Sequence, residues 1–177
     1  MRLHLGCGNK FIPGFIHIDL GDFPHLDYKH SLDKLPMFAD GSVDLIYVCH
    51  AFEYFDREEG ENVLKEWHRI LKPSGILRIA VPDFEAIVKV YLKYGLESRG
   101  ILGPLYGKID LAGHTYHKTV YDFNSLKKIL KKTGFKNILR YDWRTTEHKN
   151  IDDFSRAYIP HMNKKGLLIS LNMEAKK

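Results

Sequence analysis

The chain has 177 residues, 44% of them hydrophobic, enough for one domain with a sizeable core (residues 1–177) and too little for two ordinary ones. Its apolar runs are strand-sized and broken by charge, well short of the roughly 20 apolar residues of a membrane span, so a cytoplasmic location with Cys7 and Cys49 reduced is expected, without a disulfide or zinc site. The net charge of +5 leaves anionic partners open, although Lys127, Lys128, Lys131 and Lys132 read as the solvated face of one helix.

In chain order, Leu3-His4-Leu5 predicts a buried strand, followed by the turn Gly6-Cys7-Gly8 and a second strand, Phe15 to Leu20, carrying Asp19 at its end. The stretch Asn9 to Gly14 is too short and too proline-interrupted for a crossover helix. Asp27 to Leu32 reads as a short third strand and Val43 to Cys49 as a central one, nearly continuous in apolar residues as parallel strands are. Asp56 with Glu59 forms a capping pair for a helix with the stripe Val63, Leu64, Trp67, Ile70 and Leu71, and Lys72-Pro73-Ser74-Gly75 stops it.

Ile76 to Val81 predicts the fifth strand, and Pro82-Asp83 opens a helix expected to turn Phe84, Ile87, Val88 and Tyr91 inward before ending near Gly95. Residues 97–121 are irregular and glycine-rich, long enough to be a lid or binding segment. A helix from Asn124 to Thr133 ends on Gly134, and two β-like stretches, Ile138 to Trp143 and Leu167 to Met173, close the chain as a hairpin-like pair around residues 144–165. This alternation gives an α/β fold: a single-domain, doubly wound, mostly parallel seven-stranded sheet with a shortened first crossover and a C-terminal antiparallel strand.

The strand, glycine turn, strand and acid at residues 3–19 form the arrangement with which an open α/β sheet holds a nucleoside at its carboxyl edge, although Gly6 and Gly8 also suit an ordinary tight turn. A carboxylate at position 19 can accept both vicinal hydroxyls of a ribose. A dinucleotide fingerprint needs a third glycine where this chain has Phe11, so a phosphate-free ligand with a zwitterionic tail, such as S-adenosylmethionine, fits better than a pyrophosphate.

Together, Leu5-Gly6-Cys7-Gly8-Asn9, Asp19, Leu35-Pro36, Asp40 to Leu45, Ala51-Phe52-Glu53-Tyr54 and Trp67 to Gly75 resemble the class I S-adenosylmethionine-dependent methyltransferases over about the first 85 residues. The resemblance implies a Rossmann-like methyltransferase fold with S-adenosylmethionine as cofactor. Leu5, Gly6, Cys7, Gly8 and Asn9 would form the cofactor turn, with Asp19 on the ribose, Ser31 and Leu32 near the adenine and His50 on the floor of the transfer site. Two departures stand out: relatives carry a longer helix after the first strand, and often a histidine where this chain has Tyr54.

Methyl transfer to an oxygen needs a base, for which Asp83, His117, His50 and His114 are candidates, Asp83 and His117 being the preferred pair. The expected acceptor is a small molecule or a saccharide, bound by residues 97–121 and 144–165; the saccharide rests on the resemblance alone. A non-catalytic S-adenosylmethionine-binding subunit that regulates a partner enzyme is the alternative. A nucleic-acid acceptor is disfavoured because Cys49-His50-Ala51-Phe52 stands where an Asp/Asn-Pro-Pro-aromatic turn would be needed. Transfer of the cofactor's aminopropyl group is disfavoured because no acidic pocket is evident.

Overall fold

In the computed structural model, which describes residues 1–95, 100–110, 114–160 and 165–177, the opening strand β1 (Arg2–Leu5) pairs in parallel with β2 (Ile16–Asp19) on one side and β4 (Val43–Cys49) on the other. The edge strand β3 (Tyr28–Lys29) extends β2, and β5 (Leu71–Pro82) continues the parallel set beyond β4. β11 (Ser170–Lys176) runs antiparallel between β5 and β8 (Lys136–Arg140), so the seven-stranded order is β3-β2-β1-β4-β5-β11-β8.

Alternation assigns the two faces. Leu3, Leu5, Ile46, Val48, Leu77, Ile79, Val81, Leu171 and Met173 point to one side and join α1 (Arg57–Ile70) and α4 (Phe123–Lys132) in the main core. The predicted stripe of α1 is buried there through Val63, Leu64, Trp67 and Ile70. Asp56 accepts from the Glu58 and Glu59 amides at 2.9 and 2.8 Å while Glu59 accepts from the Asp56 amide at 2.9 Å, a capping box contributing about 1 kcal/mol. The Trp67 indole donates to the Leu32 carbonyl at 2.9 Å and so ties the loop after β3 to this helix.

The opposite face is built differently. No helix fills the ten-residue link between β1 and β2, and His4, His17 and Tyr47 are buried there in a layer of stacked rings with Phe11 and His148. Burial pushes His4 down to about 3 and His148 to about 4, so both are neutral. Beside them Arg78 donates to Glu147 at 2.8 Å and Glu174 at 3.1 Å. Among the described residues this face is covered by the irregular chain from Trp143 to Ala157, with two single 3-10 turns, Trp143–Thr145 and Phe154–Arg156.

Three expectations change, the first being that β5 begins at Leu71, so that Leu71 belongs to the strand and not to the stripe of α1, and the predicted stop at residues 72–75 lies within the strand. In α2 (Phe84–Tyr94) only Ile87 of the predicted inward residues is buried, together with Ala86 and Val90, whereas Phe84, Val88 and Tyr91 are exposed. The helix packs on Ile101, Ala157, Ile159 and Ile169 in a separate small core, so tertiary position and not apolar content chose its buried face. The final strand begins at Ser170 and not at Leu167. Leu167–Leu168 (β10) pairs with Tyr158–Ile159 (β9), and Ile169 breaks the run by donating to Ala157 and accepting from the Asp83 amide. The predicted antiparallel pair of β8 and β11 does form, and β11 pairs on its other side with β5.

The segment after α2 holds the short helix α3 (Leu102–Tyr106) and the two-residue strands β6 (Ile109–Asp110) and β7 (His114–Thr115), paired antiparallel. Parts of the predicted lid and acceptor segments, residues 97–99, 111–113 and 161–164, lie outside the described residues.

Candidate functional site

The carboxyl ends of β1, β2, β4 and β5 converge on one edge, and the glycine turn lies there. Gly6 has φ +64°, and a Cβ on it would stand 2.5 Å from the Ala51 Cβ, so neither the conformation nor the space admits a side chain. Gly8 has φ +53° but nothing within 4 Å of its Cβ position, which leaves open space over the turn. Its amide donates to Asp19 Oδ2 at 2.8 Å, and the Gly21 amide donates to Oδ1 at 2.7 Å. Each carboxylate oxygen therefore spends one lone pair on the backbone and keeps another for a ligand.

Above this turn opens a cavity of about 1840 Å³. One end is formed by residues 6–10, Asp19 and Leu20, Ser31 to Lys34, and Cys49 to Ala51; the other by Tyr54, Phe55, Tyr94, Leu102, Pro104, Ile109, His117, Phe154, Tyr158 and Ile159. Single-ligand pockets run to about 1,000 Å³. The cavity has room for two ligands side by side, one at the polar turn and one against the apolar wall.

Where the two ends meet, two histidines flank a buried acid. Glu53 lies on the 3-10 turn Phe52–Tyr54 with 1% of its side chain exposed, and its Oε1 is 3.7 Å from His50 Nδ1 and 3.6 Å from His117 Nε2. Among the described residues neither carboxyl oxygen has a hydrogen-bond partner. The outer nitrogens fix the tautomers. Ser170 Oγ donates to Asn172 at 2.9 Å, so at 3.1 Å from His50 it accepts from Nε2–H, and the Nδ1 lone pair faces Glu53. His117 Nδ1 is 3.1 Å from the Pro104 carbonyl, which can only accept, so its Nε2 lone pair also faces Glu53.

A carboxyl between two lone pairs, shut off from water, keeps its proton: burial pushes Glu53 up to about 8, and burial pushes His50 down to about 3 and lowers His117. At neutral pH the cluster is three neutral groups, and the proton of Glu53 is the one that lies between the two facing lone pairs. His117 is seated by Gly107, whose φ of +52° and missing Cβ leave space where a side chain would stand 2.1 Å from His117 Nε2.

Residues 19–79, the stretch running from the ribose-type acid through the fifth strand, match the methyltransferase domain family. The demethylmenaquinone methyltransferase of Chlorobaculum parvum is 26% identical over 135 residues, 73% of this chain and 55% of that protein. The chain spans about half the length of the curated relatives it matches. An S-adenosylmethionine-dependent methyltransferase structure from Archaeoglobus fulgidus superposes with a TM-score of 0.57 at 16% identity, over 99% of this chain and 85% of that one. The Burkholderia thailandensis 1,6-didemethyltoxoflavin-N1-methyltransferase, solved with S-adenosylhomocysteine, gives 0.58 at 15% identity, over 99% and 70%. This chain has the fold of the class I methyltransferases.

The fold brings most of the predicted site residues to one cavity. Gly6, Cys7, Gly8, Asn9, Asp19, Ser31, Leu32, His50 and His117 all line it. Leu5 does not; it is fully buried in the core beneath the turn. Asp83 stands apart from them. It does not line the cavity, and its Oδ2 accepts from Arg140 at 3.2 Å, so the structure does not bring it together with His117. The residue that His117 does meet is Glu53, which the sequence reading used only as part of the family resemblance. The backbone of His114 is in β7, and its side chain lies outside the described residues.

The sequence carried one signal for Glu53: an acid directly after buried Phe52 in a run leading out of the central strand, where a solvated charge is not expected. Lys10, also on the cavity wall, was missed because a single lysine after a glycine turn has no distinguishing pattern.

The residues fit S-adenosylmethionine on two observations of the structure. The open space over Gly8 admits close approach of a ligand to the backbone, and Asp19 presents a carboxylate held in place by two amides. No helix of the described residues is long and apolar enough to cross a membrane.

Proposed function

We propose that this chain is a methyltransferase that moves the methyl group of S-adenosylmethionine to a small, largely apolar acceptor held in the outer half of the cavity. The observation that carries the reading is the Asp19 carboxylate, fixed by the Gly8 and Gly21 amides at the floor of a cavity too large for the cofactor alone. In this reading Asp19 accepts the ribose hydroxyls, Ser31 and Leu32 border the adenine, the turn from Gly6 to Asn9 carries the amino-acid tail, and Lys10 supplies a cation for its carboxylate. When bound, the cofactor supplies an electrophilic methyl on a sulfonium.

The chain's own contribution is placement and proton handling. The apolar wall of Tyr94, Leu102, Ile109, Phe154 and Ile159 excludes water and orients the acceptor. An oxygen acceptor gives up one proton as its bond to carbon forms. His117, which lines the cavity, is the group we assign to receive it at Nε2, and Glu53, 3.6 Å away, then passes its own proton to the lone pair of His50 Nδ1 at 3.7 Å, leaving a carboxylate between two imidazolium rings. His50 shields the same carboxyl from the other side. Residues 97–121 and 144–165 are the segments assigned to the acceptor, within one domain.

The apolar character of the wall favours a small aromatic or isoprenoid-like molecule over a saccharide, and the relative named for demethylmenaquinone agrees with a small-molecule acceptor. Calorimetry with S-adenosylhomocysteine tests the cofactor half: Asp19→Ala should weaken binding by about 1.5–3 kcal/mol, the cost of charge-assisted hydrogen bonds. Unchanged affinity refutes the role of Asp19. Methyl-labelled cofactor offered with phenolic, quinol and sugar acceptors tests the other half. Cofactor binding without transfer to any of them would favour the regulatory-subunit alternative.

A further inference from the structure

Ser170 and Asn172 are buried polar residues on β11, a strand whose Leu171 and Met173 belong to the main core. Alternation turns both toward the other face of the sheet, where a buried polar group costs stability unless it is bonded. Their bonds run in one direction from a fixed point. The Ser155 carbonyl can only accept, so the Asn172 side-chain nitrogen, 2.7 Å away, is the donor and Oδ1 is the atom left to face Ser170. Ser170 Oγ gives its one proton to that oxygen at 2.9 Å. It has only lone pairs to offer His50 Nε2 at 3.1 Å, so the His50 proton sits on Nε2. Three bonds thus carry the polarity of one backbone carbonyl to an imidazole ring.

His50 is a residue at which the position of that proton matters. It follows β4 and reaches across the end of β5 to β11, and its amide donates to the Ala80 carbonyl at 2.8 Å. Its backbone is held at φ +52°, a conformation few non-glycine residues adopt. Nδ1 lies 3.7 Å from Glu53 Oε1. A bare Nδ1 can take the proton that Glu53 releases, and a protonated Nδ1 cannot.

We propose that Ser170 and Asn172 are positioning residues for methyl transfer, holding His50 as the Nε2–H tautomer so that Nδ1 stays open to the Glu53 proton. No atom of the thread has to turn when that proton arrives. The Nε2–H bond to Ser170 is already made and becomes charge-assisted, and the bond from Ser170 to Asn172 polarises the hydroxyl in the favourable sense. The bearing on the reaction rests on the methyltransferase reading, whereas the tautomer is a property of the chain alone.

Nitrogen NMR of the histidine rings, on the chain without cofactor or acceptor, reads the tautomer, with the His50 signals identified by their absence from His50→Gln. Wild type should carry hydrogen on Nε2 and none on Nδ1. Asn172→Leu keeps the Ser170 hydroxyl and frees its proton to turn to Nε2, so the ring should switch to Nδ1–H. Ser170→Ala removes the acceptor of Nε2–H without adding bulk, and the ring should switch in the same way, with Glu53 as the acceptor that remains. On a hydroxyl acceptor both variants should lower kcat about tenfold, part of what a proton-handling group contributes, with the acceptor's KM and the affinity for S-adenosylhomocysteine unchanged. A wild-type ring protonated on Nδ1, or variants that both keep Nε2–H, overturns the assignment. A switched tautomer with wild-type kcat overturns the role in transfer. If wild type methylates none of the acceptors offered, the methyltransferase reading fails and the role in transfer fails with it, while the NMR still decides the tautomer.

Discussion

Replacing Glu53 by Gln should make the protein more stable at alkaline pH while leaving its shape intact. The carboxyl is pushed by burial from 4.5 to about 8, so folding favours its protonated form. A group whose folded value is raised contributes stability that is complete below its unfolded value and disappears as pH rises through the folded one. For Glu53 the window runs from about pH 4.5 to 8, and at ~1.36 kcal/mol per pH unit the loss across it has an upper bound of about 5 kcal/mol. Gln has the same size and no charge to acquire, so Glu53→Gln lacks this slope. The buried histidines act in the opposite sense: with His4 and His50 pushed down to about 3, their contribution is complete above pH 6.5 and is lost as pH falls toward 3. Urea unfolding between about pH 5 and 9 measures the difference. Wild type should weaken through this range while Glu53→Gln holds nearly level, and the two curves should converge near pH 5. Parallel curves, or a Glu53 carboxyl that titrates near 4.5 by carbon NMR, would refute the neutral cluster.

His117→Ala should lower kcat on a hydroxyl acceptor by about 100-fold or more and leave S-adenosylhomocysteine affinity unchanged, as expected for a group that handles a proton; steady-state kinetics and calorimetry on the same sample check both. Gly107→Ala should act on the same step without touching the chemistry, since its methyl would occupy the space of His117 Nε2 and its φ is +52°; activity should fall, and stability by about 1–2 kcal/mol in thermal melts. Gly6→Ala should remove cofactor binding in calorimetry, because its Cβ and that of Ala51 cannot coexist at 2.5 Å. Asp83→Asn should leave methyl transfer at its wild-type rate and cost about 1 kcal/mol of stability, in keeping with a carboxylate that faces Arg140.

What could be read from sequence follows from where local physics decides the outcome. Short runs with Leu, Ile and Val at the buried positions placed β1, β2 and β4 to within a residue, whereas β5 begins at Leu71 and not at Ile76, and the capping box of α1 is a pattern of backbone donors and side-chain acceptors that tertiary contacts need not modify. The glycine turn alone also suits an ordinary tight turn, and it became legible as a candidate cofactor turn only together with the motifs that follow it over about the first 85 residues. Helix α2 was misread because it is apolar on more than one side: composition could not say that Val90 would be covered and Leu92 left bare. Glu53, His50 and His117 meet from three separate segments, and no spacing in one sequence encodes that distance. Asp83 followed a sound rule, an acid at the end of an inner strand, and was drawn off by Arg140 on β8, a partner more than fifty residues away.

The shortened first crossover also bears on the acceptor site. With no helix between β1 and β2, the second face of the sheet cannot be closed by an apolar helix stripe, and the chain covers it with polar and aromatic groups that bind each other specifically. Tyr47 donates to Asp153 at 2.6 Å, Asp153 accepts from the Ser155 amide at 3.0 Å, and the Asn172 amide donates to the Ser155 carbonyl at 2.7 Å. These bonds pin the turn Phe154–Arg156 onto β4 and β11, and the turn in turn holds the Phe154 ring 5.3 Å from His50 on the cavity wall. The layer that substitutes for a missing helix is therefore what positions one side of the acceptor end. Loosening it at Tyr47 should disturb the acceptor's KM before it disturbs cofactor affinity, since Asp19 and the glycine turn hang from β1 and β2 and not from this turn.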